Sequence, residues 1–235
     1  MVSFRKFYNM KRTISFVCVL LIAVLLGTSA GASSDAGRVY CRNAAKEKKI
    51  ALTFDDGPHP RFTKEILDIL KEYGIKATFF IIGINAENYP ESLKLIVDSG
   101  CEIGNHTYSH HRTDKMTSDE LEQEIRKCED VLYSMTGIKP KLFRPPQGRV
   151  NGNLLKVSDK LGYSVILWSI DTLDWSHNPS DKICASVKNN LINGDIILMH
   201  DYISGKNTTC EALRRLIPEL LSKGYEFVTV SELIN

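Results

Sequence analysis

From Lys49 onward, short apolar runs alternate with segments whose apolar residues recur at helical spacing. Residues 50–54, 76–82, 102–104, 141–143, 163–170, 195–199 and 225–230 are predicted strands. Between them, Ile66, Leu67, Ile69 and Leu70 mark a helix over 64–71, and residues 93–97 a helix ended by Gly100. Thr117 and Glu120 form a capping box that opens a long helix closed by Gly137. Further helices are predicted over 154–161, 183–191 and 212–221, the last with Pro218 as a weak point. About seven βα units in roughly 200 residues predict a single parallel α/β domain, closed or partly closed into a barrel. A doubly wound nucleotide-binding fold has little support, because no GxGxxG follows the first strand and no Walker-type GK[ST] occurs.

The first 32 residues are of another kind. Arg5, Lys6, Lys11 and Arg12 precede an apolar run over 14–26, and small residues follow through Ala30, Gly31 and Ala32, which is the layout of a secretory leader. The run falls short of the roughly 20 residues of a membrane span, so cleavage after Ala32 is expected, with an uncleaved anchor as the alternative. The expected organisation is a leader at 1–32, a linker tail at 33–47 and the α/β domain at 48–235. Residues 1–32 hold four basic and no acidic side chains, so their removal takes the formal charge from +2 to −2. With that sign, and no Lys/Arg block interleaved with aromatics, nucleic acid is not an expected partner. Cys41, Cys101, Cys128, Cys184 and Cys210 remain, without a CxxC, and are expected to behave as small apolar residues rather than as zinc ligands.

Chemistry concentrates at the predicted strand ends. Asp55 and Asp56 stand at the mouth of the first strand, which Gly57-Pro58 breaks. Adjacent carboxylates repel; they are held most easily when one ligates a cation and the other stays ionised beside it as a base. An Asx-type turn is the structural alternative. His106 and His110 follow the third strand four residues apart, and on one helical turn they would point the same way. Two imidazoles and a carboxylate suit Zn²⁺ or a similar divalent ion, with further positions open to water and substrate. Arg144 beside Pro145-Pro146, then Asp171, Asp174 and Trp175, then Leu198 and His200 occupy three more strand ends. Each alone has a structural reading, as a helix cap, a core ring or a satisfied buried histidine. Their coincidence at successive strand ends argues for one site.

In order, TFDDGP, HTYSH, RPPQG, DTLDW and LMH resemble the motifs of the polysaccharide deacetylases, the NodB homology domain of carbohydrate esterase family four. The likeness covers residues 48–233, and the wording around the motifs is most similar to bacterial cell-wall and sporulation members. It implies a distorted (β/α)7 barrel and removal of N-acetyl or O-acetyl groups from chitin, peptidoglycan or xylan. Residue by residue it implies Asp55 as general base, and Asp56, His106 and His110 as ligands of a divalent metal, Zn first, with Co, Ni or Mn as alternatives. It further implies Arg144 as the partner that orients Asp55, His200 as general acid, and Asp171 as the carboxylate that keeps His200 protonated, Asp174 being the alternative for that last role. The backbone N–H of Gln147 would face the oxyanion, and Trp175 and Leu198 would wall the acetyl methyl. One departure is Gln147 itself, where the family usually carries an aromatic; the backbone donor survives that change and a flat sugar-facing surface does not.

The resulting expectation is a secreted or cell-envelope deacetylase of N-acetylglucosamine-containing glycans, its partner the acetylated polysaccharide substrate, with no protein partner implied. An O-acetyl (xylan-type) esterase and a non-catalytic carbohydrate-binding protein are the competing readings. The binder is disfavoured because it would need none of Asp55, Arg144 or His200.

Overall fold

Strands that are apolar on both faces need cover on both, and a chain that alternates strands with amphipathic helices supplies it. The computed structural model describes residues 36–44, 47–203, 205 and 207–235, so the expected leader at 1–32 lies outside the described residues. Its strands are β1 (Val39–Tyr40), β2 (Lys49–Asp55), β3 (Thr78–Ile81), β4 (Glu102–Asn105), β5 (Leu142–Phe143), β6 (Ser164–Ile166), β7 (Ile170–Asp171), β8 (Ile196–His200) and β9 (Glu226–Phe227). The helices are α1 (Phe62–Glu72), α2 (Gly83–Asn88), α3 (Pro90–Asp98), α4 (Ser118–Thr136), α5 (Gly152–Leu161), α6 (Ser180–Asn190), α7 (Thr209–Ser222) and α8 (Val230–Ile234).

The strands lie in the order β1-β6-β5-β4-β3-β2-β8-β7, with β9 added on β2, and every ladder between them is parallel. Every residue of β2 after Lys49 is buried, as a strand covered on both faces requires. The helices seal the outside: Ile66, Leu67, Ile69 and Leu70 of α1 enter the same core cluster as Leu213, Leu216 and Leu220 of α7. Pro218 is accommodated inside α7, whose buried face carries the helix through it.

Several elements depart from the expected pattern. The strand expected over 163–170 is two: β6 pairs with β1 and β5 near one end of the sheet, whereas β7 pairs with β8 at the other. The link over 167–169 crosses between them, with Leu167 N–H donating to Tyr40 O at 2.7 Å and Ser169 N–H to Ile196 O at 3.0 Å. The curled sheet is thus closed through this covalent link, and among the described residues no ladder joins β1 to β7. Val39–Tyr40, expected within the tail, pairs with Val165 and Ile166. Arg42 just beyond it anchors to the buried Asp195 at 3.0 Å. The last expected strand shortens to β9, because the Thr229–Glu232 capping box starts α8 directly after it.

Parallel wiring puts Asp55, Asn105, Phe143, Asp171 and His200 at the carboxyl ends of their strands, on one side of the sheet. Close packing supports that side: a Cβ at Gly104 would lie 2.5 Å from the Phe80 ring and 3.3 Å from Leu142 O. The Phe80 ring in turn lies 4.0 Å under the Arg144 guanidinium. Gly104→Ala is therefore expected to cost about 1–3 kcal/mol by overpacking, read as a lower urea midpoint with an unchanged slope; an unaltered midpoint would contradict this packing.

Candidate active site

Every site residue singled out from the sequence except Arg144 and Asp174 lines one cavity of about 450 Å³, together with Trp168, which the sequence did not single out. Arg144 stands behind it, fully buried at the end of β5. Its NH1 donates to Asp55 Oδ1 at 2.7 Å and to Thr53 Oγ1 at 2.8 Å, Nε to Ile166 O at 3.3 Å and NH2 to Leu167 O at 3.0 Å. Burial pulls the Arg144 pKa down, and the facing Asp55 carboxylate opposes that. Asp55 is itself only 3% exposed, so its orientation is set by the guanidinium rather than by water.

Asp56, His106 and His110 bring one ligand atom each to within 4.8 Å of one another. Asp56 Oδ1 is 3.3 Å from His106 Nε2 and 3.1 Å from His110 Nε2. Burial would raise the Asp56 pKa, but the hydrogen bonds of the two imidazoles outweigh it and hold the carboxyl well below the usual carboxylate range. Burial lowers the His110 pKa and the bond to Asp56 overrides it, so the net direction is upward. His106 Nδ1 donates to Arg144 O at 2.7 Å, which aims Nε2, the nitrogen a metal would use, toward Asp56. The donor set and its convergence fit a divalent cation of the zinc type.

The two histidines do not share the expected helical turn. Residues 106–110 form an irregular loop after β4, with Thr107 at φ 66° and His110 at φ 58°. Left-handed non-glycine residues persist only where neighbours over-determine them. Asn105 Oδ1 accepts the Thr107 N–H at 2.9 Å, and Thr107 Oγ1 accepts the His110 N–H at 3.1 Å. Glu124 on α4 accepts the N–H groups of Tyr108 at 3.1 Å and Ser109 at 2.8 Å, and the Ser109 hydroxyl at 2.9 Å. Sequence reading missed Glu124 because it lies within an ordinary amphipathic helix.

The partner of His200 is Asp174, not Asp171. Asp174 Oδ1 lies 2.8 Å from His200 Nδ1, while its Oδ2 accepts the His200 N–H at 2.8 Å and the Thr209 hydroxyl at 2.7 Å. Asp171 instead accepts the Leu173 N–H at 2.8 Å and keeps a place on the cavity wall. The short turn Asp174–Ser176, entered through Leu173 at φ 54°, swings the second carboxylate back under β8. Burial lowers the His200 pKa, but the hydrogen bond and charge of Asp174 prevail and push it up to about 9. Leu198 is buried on β8 and Trp175 half exposed, so the cavity has one fixed and one solvent-facing apolar wall. Gln147 sits at φ 60° in the turn after Pro145-Pro146. His111 is exposed, and His59 accepts the N–H groups of Arg61 and Phe62 at 3.0 Å each, a helix-capping role. Asp201 lies beneath the loop after β2, where burial pushes its carboxyl up to about 7 and Thr63 donates to it at 2.5 Å.

Two outcomes are expected. His106→Ala should lower Zn²⁺ affinity by more than tenfold and Glu124→Gln by about tenfold, both with an unchanged circular dichroism spectrum; calorimetric titration giving wild-type affinity in His106→Ala would refute the ligand set. The second concerns pH. Folded His200 keeps its proton to about 9, whereas unfolded histidine releases it near about 6.5. The stability this confers is complete below that lower pKa and is lost as pH rises through the upper one. The melting temperature of chelator-treated protein should therefore fall between these pH values, and less steeply in Asp174→Asn; identical slopes would contradict the pairing.

The polysaccharide deacetylase family model matches residues 42–166. A peptidoglycan-N-acetylglucosamine deacetylase of Bacillus cereus is 42% identical over 188 residues, 80% of this chain and 68% of that protein. In three dimensions the chain is similar to a crystal structure of a peptidoglycan N-acetylglucosamine deacetylase bound to an N-oxidanyl benzamide, with a TM-score of 0.81, 38% identity, and coverage of 88% of this chain and 96% of that one. It is also similar to a family 4 acetyl xylan esterase of Clostridium thermocellum in complex with a cobalt ion, with a TM-score of 0.75, 37% identity, and coverage of 79% and 90%. Sequence, fold and site geometry lead to the same conclusion, and the chain belongs to the polysaccharide deacetylase family.

Proposed function

We propose that this protein is an exported, divalent-metal-dependent hydrolase that removes N-acetyl groups from N-acetylglucosamine units of peptidoglycan or chitin-like oligomers. The observation that carries the reading is the joint approach of three separately held groups to one cavity: the Arg144-held Asp55, the Asp174-held His200 and the Asp56–His106–His110 set. The leader-like residues 1–32 and the peptidoglycan-directed relatives support export to the cell envelope.

In this reading Asp55 is the general base. Its Oδ1 is engaged by Arg144, which leaves Oδ2, 3.7 Å from His106 Nε2, to take a proton from the attacking water. Asp56, His106 and His110 would hold the cation, which when bound supplies Lewis-acid polarisation of the acetyl carbonyl and acidifies water. The backbone N–H of Gln147, fixed in its turn, would donate to the developing oxyanion without reorganisation. His200, bonded to Asp174 through Nδ1, offers Nε2–H to the departing amine; with its pKa pushed up to about 9 it is protonated at neutral pH, as a general acid for a poor leaving group must be. Leu198 and Trp175 would enclose the acetyl methyl. Zinc is the metal that the donor set favours.

An O-acetyl esterase is the second reading, favoured by the likeness to the Clostridium thermocellum acetyl xylan esterase. An alkoxide leaves more readily than an amine, so that activity would call less on His200. Acetate release from N-acetylglucosamine oligomers and from acetylated xylan, with and without chelator, separates the two. Faster release from the amide substrate is expected, abolished by chelator and by Asp55→Asn, with the basic limb of the rate profile near about 9 moving to lower pH in Asp174→Asn. Turnover confined to xylan esters would overturn the amide assignment.

A further inference from the structure

The catalytic cavity adjoins a second one. His110 lines the first, and its neighbour His111 lines another of about 420 Å³ that is also walled by Arg112, Lys115 and Met116. A chain of side chains joins the two from the other side. Gln147 lines the catalytic cavity, and its Oε1 accepts from Arg149 Nε at 3.0 Å. Arg149 NH1 is 3.6 Å from Asp114 Oδ2. Arg112 donates to both oxygens of the same carboxylate, Nε at 3.0 Å and NH2 at 2.7 Å.

This network sets two guanidinium groups against the single Asp114 carboxylate, which leaves one positive charge in surplus. Glu120 and Glu124 also line the second cavity, but their hydrogen bonds go to the backbone N–H groups of Thr117, at 2.8 Å, and of Tyr108 and Ser109, rather than to either guanidinium. Both arginine side chains remain open to solvent, 44% for Arg112 and 46% for Arg149. Without residues 1–32 the chain has a formal charge of −2, so this is a local feature that overall composition does not produce.

A polymeric substrate has to lie over more than the cavity that takes its acetyl group. We propose that Arg112 and Arg149 form a subsite for the carboxylate of a lactyl-bearing amino sugar adjoining the unit whose acetyl group enters the catalytic cavity. A guanidinium fork matches a carboxylate in shape and charge, and Arg149 is held toward the cavity through Gln147. The Gln147 side chain, on the wall of the catalytic cavity, thus positions a cation beside it. The proposal deepens the deacetylase reading and rests on it for the identity of the polymer.

Binding, read by calorimetry on the Zn²⁺-loaded Asp55→Asn protein, separates the subsite from turnover. The probes are a β-1,4 tetrasaccharide alternating N-acetylglucosamine and N-acetylmuramic acid with free lactyl carboxylates, and the same tetrasaccharide with those carboxylates converted to methylamides. The free acid should bind about fivefold more tightly at low salt, and the preference should shrink at 0.5 M NaCl, where the shortened Debye length screens exposed charges more strongly. Adding Arg149→Gln or Arg112→Gln should erase the preference while affinity for the methylamide is kept. Equal affinity for the two probes, or a preference that survives both substitutions, would overturn the subsite. Failure of the deacetylase reading would show separately, as absence of acetate release by the wild-type protein.

Discussion

The buried ion pair between Arg144 and Asp55 is the constraint around which the catalytic end of the sheet is organised. A guanidinium without water is tolerated only if its N–H groups are met, and here all three nitrogens donate, to Thr53 and Asp55 on β2 and to the carbonyls of Ile166 and Leu167. Those last two residues lead out of β6 into the link that closes the sheet, so one side chain ties three parts of the barrel together. Removing one member of such a pair typically costs about 3–5 kcal/mol, because the other is left buried and unpaired. Its backbone adds a further tie, since Arg144 O accepts from His106 Nδ1 and thereby aims Nε2. Orientation of the carboxylate and orientation of the imidazole thus come from the same residue.

The order of strands and helices was legible because burial on both faces leaves continuous apolar runs, and helices leave a 3.6-residue period. The Thr117–Glu120 box and Gly137 marked the ends of α4 for local reasons that hold in any context. What escaped was set by closure. Nothing in the apolar run 163–170 says that it divides at Leu167, since the division exists to pass from one end of the sheet to the other. Val39–Tyr40 is similarly silent: an edge strand of two residues gains its place from β6, not from its own pattern.

The site was legible as a set of residues and less so as a set of pairings. Asp171 and Asp174 both follow the predicted strand, and only the backbone turn through Leu173 decides which carboxylate returns to His200. The spacing of His106 and His110 suggested a helical turn; the structure reaches the same convergence with two left-handed residues, a geometry that Asn105, Thr107 and Glu124 have to stabilise and that spacing alone cannot reveal. Trp168 was passed over as part of a strand, although its ring packs against the α-carbon side of Gly148, where a Cβ would lie 2.6 Å away, and faces the cavity.

The relative placement of Asp55 and His200 does not depend on loops at all. β2 and β8 pair in parallel with Asp55 directly opposite His200, so one hydrogen-bonded ladder fixes the spacing of the proposed base and acid. Behind each stands a group of opposite charge: a guanidinium behind the Asp55 carboxylate, and behind the His200 imidazole the Asp174 carboxylate, which pushes the imidazole pKa up to about 9. A slip of one residue in that register would turn one of the two side chains to the opposite face of the sheet and separate the pair. The apolar residues that prevent the slip, Leu52 and Phe54 on β2 with Ile197 and Met199 on β8, belong to the main core cluster. Core packing and acid–base geometry are therefore a single constraint on these two strands, with alternate residues serving each.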